Sequence, residues 1–371
     1  NNSYKLKKEM KMRNLLYLIL IFFTTILNAN EKVVLQLKWF HQFQFAGYYA
    51  AKEKGFYDEV GLNVEIRQRD LKYNNIDEVI NGNAQYGVAD SILILYRLKQ
   101  QPVVIVSPIF QHSPSVFISL KKSNISSVYE LNNKDILFYP NDTDGFSLLA
   151  MIKKFDLDVN LVRERYKDDY MRLINNEVDV MPAYIANEPF LFKEKGYDVN
   201  IINPTNYGFD MYGDMLFTNE DEAKNNPIRV EKFKKATLKG WKYALENKEE
   251  IIQLINEKYS KEKSIEHLRY EANAIDSLIN KDVTPLGYLD QGRIRYISEM
   301  YEYYGLTESK IDLNDFLFDE ISKKDKKLSL SDEEIKYLKD NPILKVHNFD
   351  SLPPYNFTLN NYPKGFVIDY I

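Results

Sequence analysis

The chain has 371 residues, enough for about two to three domains of roughly 150 residues, and its 44% hydrophobic share is that of a folded globular protein. Lys+Arg of 49 against Asp+Glu of 54 leaves a net charge of only -5, which gives no basis for nucleic acid or an anionic membrane surface as partner. Cysteine is absent, which excludes disulfides, thiolate metal sites, iron–sulfur clusters and a Cys nucleophile.

The first element is an export signal over residues 1–30. Lys11 and Arg13 are basic, Leu15 to Leu27 is an unbroken apolar run, and Ala29 is small enough for a cleavage site. The run fits the ~7–15 residues of a signal-peptide core and is short of the ~20 that span a bilayer. Cleaved or kept as an anchor, it exports the chain to the periplasm. "NNSYKLKKE" reads as carry-over ahead of a start at Met10 or Met12.

Val33 to Phe40 alternates, with Val33, Leu35, Leu37 and Trp39 on one face of a strand. A helix over "FAGYYAAKEK" is closed by Gly55. The strand "LNVEI", a short helix over Ile76 to Ile80 and the strand "QYGVA" follow. Asp90 ends that strand, and Ser91 is placed to cap the helix "ILILYRLKQ". "PVVIVS" is a further strand. The middle of the chain repeats the grammar: "SSVYELNNKDILFYP" as helix then strand, "DGFSLLAMIKKF" as helix, "YMRLINNEVDVMPAY" as helix, turn and strand ending at Tyr184. Strands alternating with helices predict an α/β fold with a parallel sheet, and two similar units predict two facing lobes. Helices run from Pro227 to about Tyr304. The charged segment Asp319 to Leu330 reads as a linker. Ser331 and Glu334 form a capping-box pattern, and "ILKVHNF" is a strand of a domain that begins and is cut off, as in a fragment of a longer protein.

Open α/β sheets bind ligands beyond the carboxyl ends of their strands. The residues that land there are Trp39, Phe40, Gln44 and Tyr48; Asp90 and Ser91; His112 and Ser113; Gly145; Tyr184, Asn187 and Glu188; and Tyr207, Asp210, Tyr212 and Asp214. Rings stack on a flat ligand at low entropic cost. A carboxylate such as Glu188 accepts from an exocyclic amine and a ring nitrogen, at about 1.5–3 kcal/mol for each charge-assisted bond. The helix starts at Ser91 and Gly145 are candidates for holding an anionic group of the ligand. Together these point to a small heteroaromatic ligand, with Trp39, Phe40, Tyr48 and Tyr212 as rings. Glu188 and Asn187 are the polar contacts, and Asp90 reaches in from the opposite lobe. No cofactor or metal is expected: His41, His112, His267 and His347 lack a metal-binding spacing, and no Walker, GxGxxG or GxSxG loop occurs.

"LKWFHQFQFAGYYAAKEKGFYDEVGLNVEI", "FQHSPS", "YIANEP" and "YGFDMYGDMLFT" resemble the periplasmic solute-binding proteins related to thiamine-pyrimidine synthase. The resemblance covers roughly Glu31 to Phe318. It implies a two-lobe, hinged type II binding-protein fold, each lobe a mostly parallel sheet flanked by helices, and a thiamine pyrimidine precursor as ligand. On that pattern lobe 1 takes about 31–120 and 219–318, and lobe 2 about 121–218. Enzymatic relatives hold pyridoxal phosphate on a lysine and consume a histidine. Ala89 and Leu93 stand near those two positions here, so the chain is expected to bind and not to catalyse. Residues 331–371 resemble the opening of an amino-acid-type solute-binding domain, with Tyr355 and Phe357 near its ligand. Paired domains of this kind occur in receptors with a membrane-anchored kinase or cyclase output domain; the alternative partner is an ABC permease.

Overall fold

The computed structural model describes residues 30–138, 146–162, 170–308, 310, 313 and 315–325, with backbone alone at 146, 323–325, 351–352, 356–359 and 362–364. The chain divides into one unit up to Ser322 and a second from Lys323.

In the first unit, β1 (Glu31–Gln36), β2 (Leu62–Arg67) and β3 (Tyr86–Ala89) are parallel. Helix α1 (Ala46–Glu53) connects β1 to β2, and α2 (Asn75–Ile80) connects β2 to β3. Helix α3 (Ile92–Leu98) then leads to β4 (Val103–Pro108). The alternation that predicts β1 holds, with Val33, Leu35 and Leu37 buried. Gln36 and Lys38 are buried as well, because this sheet is covered on both faces.

The second lobe holds β5 (Ser115–Leu120), β6 (Asp135–Leu137), α4 (Phe146–Lys154), β7 (Asn160–Val162), α5 (Tyr170–Ile174), β8 (Met181–Tyr184), α6 (Glu188–Glu194) and β9 (Val199–Ile202). The chain then returns through β10 (Met215–Asn219), which enters the first sheet antiparallel to β3 and β4, giving the order β2-β1-β3-β10-β4. The lobe boundaries therefore differ from the expected ones. β5 belongs to the second sheet and β10 to the first, so the crossings are residues 109–114 and 203–214. The second lobe is mixed rather than mostly parallel: β5 is antiparallel to both β8 and β9, while β6 pairs in parallel with β7 and makes a parallel bridge from Ile136 to Val180, just before β8. Hydrophobic alternation is the same in either direction, so strand direction was not legible in it.

The two crossings bond to each other. Ile109 N and Phe110 N both donate to Asp214 O, at 2.8 and 3.0 Å, and Gly213 N donates to Phe110 O at 3.1 Å. A Cβ on Gly213 would lie 2.7 Å from His112 O, so this contact requires glycine.

Helices α7 (Glu220–Asn225), α8 (Pro227–Glu246), α9 (Lys248–Lys258), α10 (Ile265–Ile279) and α11 (Gln291–Tyr303) complete the unit. α8 crosses α1 where Gly240 meets Gly47 and buried Trp241 lies over Gly47. One apolar cluster runs from lobe 1 (Leu93, Met215) through α11 (Ile294, Tyr301) to lobe 2 (Leu148, Val180). Leu317 forms a parallel bridge with Ile105 of β4, and α12 (Phe318–Asp325) follows. Part of the segment read as a linker is thus helical: α12 buries Phe318 and Ile321, an apolar pair three residues apart that its charged neighbours obscure.

In the second unit β11 (Ser351–Leu352), β12 (Asn356–Leu359) and β13 (Tyr362–Lys364) form an antiparallel meander. The export signal, the helix after Ser331, the strand "ILKVHNF", Tyr355 and Gly145 lie outside the described residues.

Candidate functional site

The ends of β1, β3 and β8 and the start of β10 converge on one ammonium group. Lys38, two residues past β1, is only 2% exposed. Its Nζ lies 3.0 Å from Asp90 Oδ2, 2.5 Å from Tyr184 Oη and 3.5 Å from Asp214 Oδ1. Asp90 and Asp214 are themselves buried. Charges taken out of water are tolerated only when paired and hydrogen-bonded, and here each is.

The network continues along the loop after β1. Gln44 Nε2 donates to Asp214 Oδ2 at 2.7 Å, and Gln42 Nε2 donates to Gln44 Oε1 at 2.5 Å. Lys263 Nζ donates to Gln42 Oε1 at 2.5 Å and to Asn187 Oδ1 at 2.7 Å, and it pairs with Glu271. Glu271 in turn accepts from Phe43 N at 2.9 Å. Two ammonium groups and three carboxylates thus alternate through a glutamine pair.

Glu188 opens α6 and folds back on the preceding turn. It accepts from Tyr184 N at 2.6 Å and from Asn187 Nδ2 at 2.7 Å. Burial pushes its carboxyl above the ordinary range, against the opposing pull of the Tyr184 amide and the Lys263 charge. This carboxylate therefore anchors Tyr184 and Asn187, and a ligand amine would have to share it.

Of the residues expected at the site, the structure gathers Gln44, Asp90, Tyr184, Asn187, Glu188 and Asp214 in this network. Trp39 and Phe40 stand next to Lys38 on the same loop, half-buried, with ring centroids 5.3 Å apart and edge to face. Tyr48 is core: it packs edge-on against Trp241 at 5.8 Å. Its hydroxyl is buried without a hydrogen-bond partner among the described residues. Burial and then the Asp214 charge push that hydroxyl well up.

Others go elsewhere. Ser91 has helical backbone and no capping bond; Asp90 Oδ1 accepts from Ile92 N at 2.9 Å instead. A carboxylate already occupies the start of α3, so no ligand anion is needed there. Tyr212 is claimed on the α11 side, where its hydroxyl accepts from Asp290 N at 2.9 Å and Arg293 lies 4.2 Å from its ring centroid. Asp210 joins the same group through His112 Nδ1 at 2.8 Å and Arg293 at 3.2 Å. Ser113 Oγ accepts from Ser115 N at 3.3 Å. Tyr207 Oη accepts from Val128 N at 3.2 Å, with its ring edge-on to Phe155. These tyrosines are structural because their polar ends already have partners.

The sequence reading missed Lys38, Gln42, Lys263 and Glu271. Lys38 had a signal, a charge set in the apolar run "VVLQLKWF". Lys263 and Glu271 had none, since acids and lysines are usual on a helix surface.

The NMT1/THI5 like family model matches residues 42–251, more than half of the chain. The riboflavin-binding protein RibY of Chloroflexus aurantiacus is 27% identical over 236 residues, which span 60% of this chain and 65% of that protein. The formylaminopyrimidine-binding protein of Halalkalibacterium halodurans is 24% identical over 232 residues, 61% of this chain and 70% of it. Among solved structures, the periplasmic nitrate-binding protein NrtA of Synechocystis PCC 6803 superposes with a TM-score of 0.60 at 12% identity, covering 82% of this chain and 90% of NrtA. The chain belongs to the NMT1/THI5-like family and has the two-lobe α/β fold of the periplasmic solute-binding proteins.

Proposed function

We propose that the chain binds a small planar heteroaromatic solute of the pyrimidine class between its lobes, in the periplasm, and does not transform it. The observation that carries this reading is the meeting of Asp90, Asp214 and Tyr184, from both lobes, at Lys38, beside the paired rings of Trp39 and Phe40. A planar solute gains stacking from the rings and hydrogen bonds from the polar turn at Asn187 and Glu188. Relatives named for riboflavin and formylaminopyrimidine binding support a flat, nitrogen-rich ligand. The binding reading is also supported at Ala89 and Leu93, two apolar side chains buried in the core where an enzymatic relative needs a lysine and a histidine.

The test is a thermal-shift screen of the purified protein with thiamine-pathway pyrimidines, flavins, purines and amino acids, followed by calorimetry on the hits. A ligand at 100 times its Kd adds about 2.7 kcal/mol of stability. A screen in which amino acids stabilise and no ring compound does would overturn the reading. Incubation with pyridoxal phosphate that gave a Schiff-base absorbance on a defined lysine would revive the synthase alternative.

The second unit, from Lys323, favours a sensory role, in which this domain is the extracytoplasmic part of a membrane receptor with a kinase or cyclase output. The binding-protein names of the relatives favour the second reading, delivery of solute to an ABC permease. A membrane span and an output domain encoded downstream support the sensor; co-purification with a permease supports transport.

A further inference from the structure

Two lysines cross the interlobe boundary in the same way. Lys38 is held on the lobe 1 side by Asp90 and Asp214, and reaches Tyr184 Oη of lobe 2 at 2.5 Å. Lys263 is held by Glu271 and Gln42, and reaches one lobe 2 oxygen, Asn187 Oδ1 at 2.7 Å. The two lobe 2 acceptors sit in one turn. Glu188 ties them together, taking Tyr184 N on one oxygen and Asn187 Nδ2 on the other. On lobe 1, the Gln42–Gln44 bond ties the two lysine sites into one chain.

We propose that Lys38 and Lys263 are paired positioning residues that draw the lobes together, and that Asp90, Asp214 and Tyr184 form an ammonium site split between the lobes whose resident occupant is the Lys38 side chain. When the lobes part, each lysine keeps its carboxylates and gives up its lobe 2 acceptor, Tyr184 or Asn187, while Asp214 gives up the Tyr184 hydroxyl. The buried carboxylates of lobe 1 therefore never lose their counter-charge, which makes the movement affordable for charges this far from water. The Tyr184–Glu188 turn is the plate on which both lysines close, so a solute that touches Glu188 and one that shifts the lobes act on the same five residues.

The chain has no cysteine, so a pair of spin labels can be placed without background. Exposed Lys52 on lobe 1 and exposed Lys122 on lobe 2, both changed to Cys and labelled, report the lobe separation in the full chain without any solute. The doubly labelled wild type is expected to show mainly the short distance. Tyr184→Phe and Lys263→Gln are each expected to lower the closed-to-open ratio by about tenfold or more, as loss of a charge-assisted hydrogen bond does. Lys38→Ala is expected to open the lobes, and millimolar propylammonium, filling the vacated site, to close them again while tetramethylammonium does not. Circular dichroism establishes that each variant is folded; Tyr184→Phe leaves every charge in place and tests the proposal even if Lys38→Ala does not fold. A wild type that is open without solute, or folded variants with unchanged distances, would overturn the pairing. An opened Lys38→Ala that no amine recloses would overturn the ammonium site. The measurement uses no heteroaromatic compound, so its failure is distinct from failure of the proposed ligand class.

Discussion

Lys38 and Tyr184 stand 146 positions apart in the chain and meet at 2.5 Å, one from each lobe. The contact exists because β1 and β8 both end at the boundary between the lobes. The first strand hands its buried ammonium across, and the second presents a phenol whose backbone amide Glu188 holds. Polar residues at strand ends are thus arranged as a circuit, with each buried charge paired before a ligand arrives.

Glu188 anchors the turn through Tyr184 N and Asn187 Nδ2, and the same carboxylate is the one proposed to read the ligand. Replacing it with Ala leaves the Tyr184 amide and the Asn187 side chain without this acceptor, and each orphaned group, being half-buried, costs at most about 1–3 kcal/mol. If a solute amine shares the carboxylate, affinity falls by more than about 2 kcal/mol in addition. Calorimetry with a hit from the screen checks this, and unchanged affinity would remove Glu188 from the site. Its raised carboxyl also predicts a pH effect. The folded protein binds this proton more tightly than the unfolded chain. Its contribution to stability is therefore complete at low pH and is lost as pH rises from the ordinary 4.5 through the raised folded value. Wild type should therefore lose stability relative to Glu188→Gln as pH rises across that window in urea titrations, and parallel curves would sink it.

How much of this was legible follows from what each residue competes with. The strands β1 to β4 were readable because their apolar faces alternate and must be buried, and the residues after them were readable as site candidates by position. Asp90, Tyr184, Asn187 and Asp214, which the structure gathers around Lys38 and Lys263, were selected that way. Tyr212 was selected by the same rule, yet Asp290 and Arg293, some 80 residues on, already occupy it. Lys263 and Glu271 were invisible for the converse reason: on a helix they read as solvated charge, and only the fold turns them toward Gln42 and Asn187. Contacts set by tertiary closure leave no local pattern, whereas burial of a strand does.

The crossing of α1 and α8 predicts a sharp intolerance of volume. A Cβ on Gly240 would lie 2.2 Å from Gly47 O and 2.6 Å from Ala51 Cβ, and one on Gly47 would lie 2.1 Å from the Trp241 ring. None of these neighbours is the free end of a flexible chain, so the helices themselves must separate. Gly240→Ala gains about 1 kcal/mol of helix propensity, and overpacking of this kind costs typically 1–3 kcal/mol or more. The net expectation is a destabilised protein, read as a lower urea midpoint with unchanged slope. A variant as stable as wild type would show that the helices give way freely.

Glu222 predicts a non-additive pair. It is buried, pairs with Arg229, and accepts from Tyr86 Oη at 2.9 Å and Asn226 Nδ2 at 3.0 Å. Removing one partner of a buried ion pair costs about 3–5 kcal/mol because the other charge is left alone. Arg229 keeps some solvent contact, so Arg229→Met should fall at or below the lower end of that range. Adding Glu222→Gln to Arg229→Met should recover part of the loss, since it removes the stranded charge. Denaturation of the two single variants and the double checks this, and simple additivity would contradict it.

His267 gives the prediction with the clearest sign. It lies on α10 against α6 of the other lobe, its ring 5.0 Å from that of Phe190 and its Nδ1 3.2 Å from Glu194. Its Nε2 is buried without a hydrogen-bond partner among the described residues. Burial, and then the charge of Lys263, hold its imidazole below the ordinary 6.5, while Glu271 and Glu194 oppose this more weakly. The folded protein therefore binds this proton less well than the unfolded chain does. Stability from His267 is full above the ordinary imidazole value and is lost as pH falls below 6.5 toward the depressed folded value. His267→Gln carries no such proton, so its stability should decline less than the wild type's between pH 7.5 and 5, about the range over which an imidazole titrates. Because α6 also carries Glu188 and the two lysine acceptors precede it, acidification should loosen the same interlobe face that Lys38 and Lys263 are proposed to close. Chemical denaturation of both proteins across that range is the measurement, and a wild type whose stability tracks that of the glutamine variant at every pH would show that the buried imidazole has no part in holding α6 to α10.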